Sequence, residues 1–204
     1  MMKELTVGIP LVIAELTGEY ERNLRRFTWG SGRDGKICAA RSTTDWAAGH
    51  DAFKVIGKFP ESESELVHGD NWPREDSHWP THCAHCGYEF EDADQWQRND
   101  NALYRRPDGV EFVLWGDLSN IPPGTMCRLP WADQYMSTRH PQHVESWRVQ
   151  LPDGGEWITS QAASGGGFWT VTGTPPMIDV TPSIWHSTPT GWHGFIRNGM
   201  LEPA

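Results

Sequence analysis

No run in this chain approaches the roughly 20 consecutive apolar residues of a membrane-spanning helix. The best candidate, residues 7–16, is short and is interrupted by Pro10 and Glu15. The first residues also lack a basic segment followed by a cleavable apolar stretch, so no secretion signal is expected. Cysteine is scarce, at four. Two of the four, Cys83 and Cys86, sit three positions apart, and in a reducing compartment such a pair suits a metal clip better than a disulfide framework. There is no His-Glu-x-x-His, no phosphate-binding Walker loop and no nucleophile-elbow motif in the sequence. The common signatures of zinc proteases, nucleotide hydrolases and serine hydrolases are therefore missing.

Apolar residues make up 37% and charged residues 22% of the 204 positions, which is lean but not a disordered composition. Gly 21, Pro 15 and Trp 12 set the character of the chain. Abundant turn formers beside rigid aromatics predict short strands and loops, hence a mainly β fold with minor helix. Most of the tryptophans are expected in hairpins and core; a few exposed ones would suit a protein interface or a sugar-stacking surface. The length allows one large domain or two small ones. A net charge of −10 makes nucleic acid an unlikely partner. The charge is uneven: six basic residues and one acid lie between Arg22 and Arg41, while ten acids and one base lie between Glu61 and Asp94. Solvated loops explain such runs, and the sharper expectation is electrostatic docking between copies or onto a protein partner.

Along the chain, residues 1–60 read as an N-terminal β-rich region and 61–78 as an acidic, proline-punctuated connection. Residues 79–204 read as a β domain built around the cysteine pair. Turn chemistry at Ser31-Gly32-Arg33-Asp34-Gly35 predicts a hairpin joining 26–29 to 36–41. Two further hairpins are predicted over 103–114, turning at Pro107-Asp108-Gly109, and over 147–158, turning at Pro152-Asp153-Gly154. Alternation of Trp147, Val149 and Leu151 directs one face of the latter to a core. Strands are expected over 177–185 and 192–197, the second ending at an Asn198-Gly199 turn. The acids at 91–94 suit a helix start, so 95–101 is the one helix expected in the second half.

The informative motif is Trp79-Pro-Thr-His-Cys83-Ala-His-Cys86-Gly-Tyr. A two-residue gap lets both thiolates face one point, and Gly87 suits the tight turn that follows. Zinc takes such soft ligands in a tetrahedral shell, completed by two further Cys or His side chains. The completing pair must come from the nine histidines, Cys38 or Cys127. His193, in a short strand beside glycines, is the first choice. His186, across a Pro/Gly-containing turn from His193, is the second. Cys38 is then expected to stand apart from the metal, and His82 and His85 to point elsewhere. His143-Val-Glu145 resembles half of a nucleobase-deaminase site, but it follows the cysteine pair instead of preceding it. His140 and His143 are candidates for an HNH-like nuclease, and Ser164 and Ser183 near histidines for a triad, a pairing common by chance.

The Cys-x-x-Cys-Gly knuckle, the run Thr181-Pro-Ser-Ile184 and the segment Trp192-His-Gly-Phe-Ile-Arg-Asn-Gly-Met-Leu201 resemble small zinc-binding proteins of unknown function encoded by tailed bacteriophages. The resemblance spans residues 79–201 and leaves out the first 60. It implies Cys83, Cys86 and His193 as ligands of a structural zinc; where such proteins often carry Cys before that histidine, Trp192 stands here. The expectation is a non-enzymatic, zinc-stabilised structural or interaction protein. Its setting would be the virion, as an accessory component, or the host cytoplasm, as a binder of a host protein. The alternatives are a zinc-dependent hydrolase, deaminase or nuclease, and a Trp-based carbohydrate-binding module.

Overall fold

A computed structural model describes residues 8–29, 34–35, 38, 48–60, 75–114, 118, 120–130, 132–133, 145–162, 167–186 and 191–204. Among them the fold is mainly β, with two sheets and almost no helix. The strands are β1 (Ile9–Pro10), β2 (Val12–Trp29), β3 (Ala48–Pro60), β4 (Gln95–Arg105), β5 (Glu111–Val113) and β6 (Thr125–Arg128), then β7 (Trp147–Gln150), β8 (Glu156–Ile158), β9 (Thr170–Thr174), β10 (Met177–Trp185), β11 (His193–Arg197) and β12 (Met200–Pro203). Two compact units divide the chain. The first comprises Met1–Glu15, Tyr104–Phe112 and Ser119–Ala204; the second comprises Leu16–Leu103 and Val113–Leu118. These divisions follow contacts in space and cut the sequence at other points than its composition does.

The first unit holds an antiparallel sheet in the order β1-β12-β11-β10-β9. Period-2 patterning builds it: Ile178, Val180 and Ile184 of β10 and Ile196 of β11 are buried, while Met177, Asp179 and Thr181 face outward. β11 and β12 are joined by Asn198-Gly199, with φ of 47° and 71°. Two successive positive φ values define the tight turn whose twist matches the flanking strands. β6, β7 and β8 pair antiparallel in sequence, and the first residues of β2 run parallel to β6, Val12 opposite Thr125. Val149, Leu151 and Trp157 join Ile178, Ile196 and Leu201 in one buried cluster, against which Trp147 packs. The 147–158 and 103–114 hairpins form as their sequences imply, closing with Leu151 N–H to Gly155 O and Arg106 N–H to Val110 O.

In the second unit β2 pairs antiparallel with β3, from Glu19 opposite Pro60 to Trp29 opposite Ala48. Residues 26–29 take 48–52 as their partner; of the return strand expected at 36–41, all but Cys38 lies outside the described residues. The turn residues at 31–35 are suited to a tight return, but thirteen residues of β3 offer a far longer ladder. Residues 95–101 form part of β4 and not a helix. The acids ahead of them close a turn on themselves: Asp94 N–H donates to Glu91 O, and Glu91 N–H donates to the Asp94 carboxylate. Lateral ion pairs then favour the extended strand. Arg22 of β2 grips Asp100 of β4 in a two-point contact of 2.9 and 2.8 Å, and Arg98 adds two more hydrogen bonds at 3.3 and 3.0 Å. Of the acidic connection at 61–78, residues 61–74 lie outside the described residues.

Asp100 yields a stability test. Burial raises its pKa, but hydrogen bonds and charge from Arg22 and Arg98 outweigh this and hold it below the usual 3.8. A depressed folded-state pKa adds stability that is present above the unfolded value and is lost as pH falls through the folded one. Its side chain is 3% exposed, so Asp100→Ala takes a partner from two part-buried guanidiniums and should cost about 2 kcal/mol at pH 7. Denaturant melts should show the gap between variant and parent closing below about pH 4.

Candidate metal centre

The segment after Pro80 folds as a knuckle. Cys83 N–H donates to Tyr88 O at 2.8 Å, Gly87 N–H returns to Cys83 O at 3.0 Å, and Phe90 N–H reaches Thr81 O at 2.9 Å. Gly87 has φ of 74°, which an L side chain adopts only with strain, and this lets the chain reverse directly behind Cys86. β3 supplies His50, whose N–H donates to the Thr28 hydroxyl of β2 at 3.0 Å. Cys38 is tied to the start of β3 by its N–H bond to Gly49 O at 2.9 Å.

These pieces bring Cys38, His50, Cys83 and Cys86 into one group, with all four candidate ligand atoms within 4.8 Å of one another. Such a group can hold a metal ion. Cys38, His50 and Cys83 are buried and Cys86 is exposed. A regular tetrahedron of ligands at ~2.3 Å has edges of about 3.8 Å. The Cys38 and Cys83 sulfurs are 3.9 Å apart, close to that edge. His50 Nδ1 lies 3.1 Å from Cys86 Sγ, shorter than that edge by about 0.7 Å.

The surroundings orient the ligands. His50 Nε2 lies 3.2 Å from Asp34 Oδ1, so a proton held on Nε2 leaves Nδ1 free to face the thiols. Tyr88 stacks on the imidazole with centroids 4.0 Å apart and planes 8° from parallel. Burial raises the Cys83 pKa, yet the backbone N–H groups of Asp51, Cys86 and His85, with the Cys86 side chain, prevail and lower it from 9.0 to about 7. Cys127 contrasts with it: burial pushes this thiol up to about 11, against a smaller opposing effect of Arg148.

Of the four residues singled out from the sequence, Cys83 and Cys86 belong to this group and His186 and His193 do not. His186 Nδ1 is 2.7 Å from Asp153, whose carboxylate also accepts from Trp192 N–H. His193 Nε2 pairs with the Ser183 hydroxyl at 3.1 Å. Both histidines belong to the first unit, whereas the four clustered residues belong to the second. Cys38, set aside on sequence grounds, is a member, and His50 was not distinguished from the other histidines. His82 is turned to Thr81 and Glu89. Glu145 accepts from Trp147 Nε1 and stands 3.5 Å from Arg128. His140, His143 and Ser164 lie outside the described residues.

Compared with known family models, curated proteins and solved structures, the chain matches none. His186→Ala and His193→Ala should leave metal uptake unchanged, whereas His50→Ala should abolish it. Elemental analysis of the three purified variants measures this directly.

Proposed function

We propose that the second unit of this chain is stapled by a structural zinc ion at Cys38, His50, Cys83 and Cys86, in a protein that acts by structure or interaction and not by catalysis. The observation that carries this is the number and type of ligands. Three thiolates and one imidazole fill a tetrahedral shell from the protein alone, and soft sulfur donors select zinc over magnesium or calcium. A catalytic zinc keeps one position for water or substrate, which a set of four protein donors does not offer. The Asp34–His50 contact supports the same reading, because metal-bound histidines commonly hand their second N–H to a carboxylate.

Interaction with a protein partner, or self-assembly, is supported by large apolar side chains left exposed: Trp29, Phe53 and Val55 in the second unit, Met177 and Trp185 in the first. Electrostatic docking through the basic stretch has less support. Arg22 and Arg25 are paired with Asp100 and Asp51, and Arg26 donates to the carbonyls of Pro80 and Glu91. The proposed setting stays that of the resemblance, a virion component or host-protein binder of phage origin. Two of the four ligands, Cys38 and His50, come from the region outside that resemblance.

The purified chain should carry one zinc, and Cys38→Ser should lose it while Cys127→Ser keeps it. Zinc retained in Cys38→Ser would mean that the shell is completed by another residue. Asp34→Asn should weaken zinc binding by roughly tenfold in chelator competition, with the zinc-loaded fold intact.

A further inference from the structure

The four proposed ligands are unequal: three are buried and Cys86 is exposed. We propose, on the strength of the zinc reading above, that the site is an oxidant-operated clasp. A peroxide enters at Cys86, Cys83 resolves the oxidised sulfur into a Cys83–Cys86 disulfide, and the zinc is released.

Accessibility sets the order of events. Thiolates held by zinc keep nucleophilic character, and oxidation follows thiolate character and exposure. Cys38 is 6% and Cys83 2% exposed, which leaves Cys86 as the one sulfur of the cluster open to a solvent-borne oxidant. The resolving thiol is already in place. The Cys83 and Cys86 sulfurs lie within 4.8 Å of one another, and the same short turn carries both, with Gly87 N–H bonded back to Cys83 O. Cys38 also reaches Cys83, at 3.9 Å, but it is buried and lies on a separate segment.

The chemistry balances with hydrogen peroxide as the oxidant. The Cys86 thiolate attacks one peroxide oxygen, the O–O bond breaks, and hydroxide leaves and is protonated to water. The sulfur, now a sulfenic acid, has given up two electrons. The Cys83 thiolate then attacks that sulfur, an S–S bond forms, the S–O bond breaks, and a second hydroxide leaves as water. Two thiolates, one peroxide and two protons thus give one disulfide and two waters. Cys38 and His50 are left as a two-ligand half-site, too few donors to retain zinc. A dithiol reductant restores both thiols and with them the capacity to rebind the ion.

The geometry also says what the release unfastens. Zinc at this centre would tie the knuckle to β3 through His50 and to the β2–β3 connection through Cys38. Oxidation would remove the metal tie alone: Cys38 keeps its bond to Gly49, His50 its bond to Thr28, and the knuckle its bonds from Arg26 to Pro80 and Glu91.

The experiment uses the zinc-loaded full chain, hydrogen peroxide and a chromogenic zinc chelator, with differential alkylation and peptide mapping at successive times. Expected are Cys86 as the first thiol modified, a Cys83–Cys86 disulfide forming in step with release of one zinc, and rebinding after dithiothreitol. Cys86→His keeps four ligands but removes the entry sulfur, and its release should be slower by on the order of tenfold. Should that variant not fold, the labelling order in the parent chain still decides. Zinc retained under peroxide, release preceded by modification of Cys38, or equal release from Cys86→His each overturns the clasp and leaves the zinc site standing. A purified chain that binds no zinc overturns the site and the clasp together.

Discussion

Buried arginines on β2 are the constraint from which the candidate site follows. A guanidinium cannot be left without partners in a low-dielectric interior, so its position dictates where carboxylates and carbonyls must be. Arg25 is held by Asp51 at 2.6 to 3.1 Å and lies between the rings of Phe27 and Phe53. That pairing fixes β3 at the residue following His50. Arg26 donates to the carbonyls of Pro80 and Glu91, which bracket the knuckle on either side of its two cysteines. Two neighbouring residues of one strand thus set the positions of three of the four clustered side chains. Asp51 links the two arrangements, since its carboxylate holds Arg25 and its backbone N–H reaches the Cys83 sulfur.

Such pairs do not explain stability by themselves. A buried ion pair is often no better than apolar packing of equal volume, but losing one member is costly. Their contribution is register. β2 carries Arg25 and Arg26 on opposite faces, as alternation along a strand requires, and one faces Asp51 while the other faces the knuckle. A slip of one residue would exchange them and place each charge against the wrong partners. The irregularity between Arg22 and Asn23 in the β2–β3 ladder lies just before this stretch.

Legibility in the sequence followed the distance over which each feature is determined. The Pro-Asp-Gly hairpins and the Asn198-Gly199 turn are set by four or five neighbouring residues, and they were readable. The knuckle was readable for the same reason, because two cysteines and a glycine within five positions specify it. Cys38 and His50 carry no local signal. They meet the knuckle only through the pairing of β2 with β3, and the turn-forming residues at 31–35 pointed to a different partner for β2. His186 and His193 had attractive local features, namely glycines and a bracketing turn, but their neighbours Asp153 and Ser183 satisfy them instead. Residues 95–101 were misread because a run of acids is also what a turn uses, and the Arg22–Asp100–Arg98 bridge that favours a strand spans 78 residues of sequence.

A metal here also suits the local packing. The apolar cluster around the knuckle consists of Cys38, Ala52, Cys83 and Phe90, with Tyr88 against it. Two of those four buried members are the cysteines themselves, and Ala52 offers one methyl group. The corresponding cluster of the first unit joins three tryptophans' worth of ring surface, from Trp157 and Trp169 inside and Trp147 at its margin, to Ile178, Ile196, Leu151 and Leu201. At about 25 cal/mol for each Å² buried, the first cluster is the better supplied of the two among the described residues. Small apolar clusters are commonly reinforced by disulfides or metal ions. Structural zinc in small domains contributes on the order of 10 kcal/mol. Among the described residues the knuckle thus combines few apolar side chains with four soft donors, the setting in which a bound metal ion would contribute most.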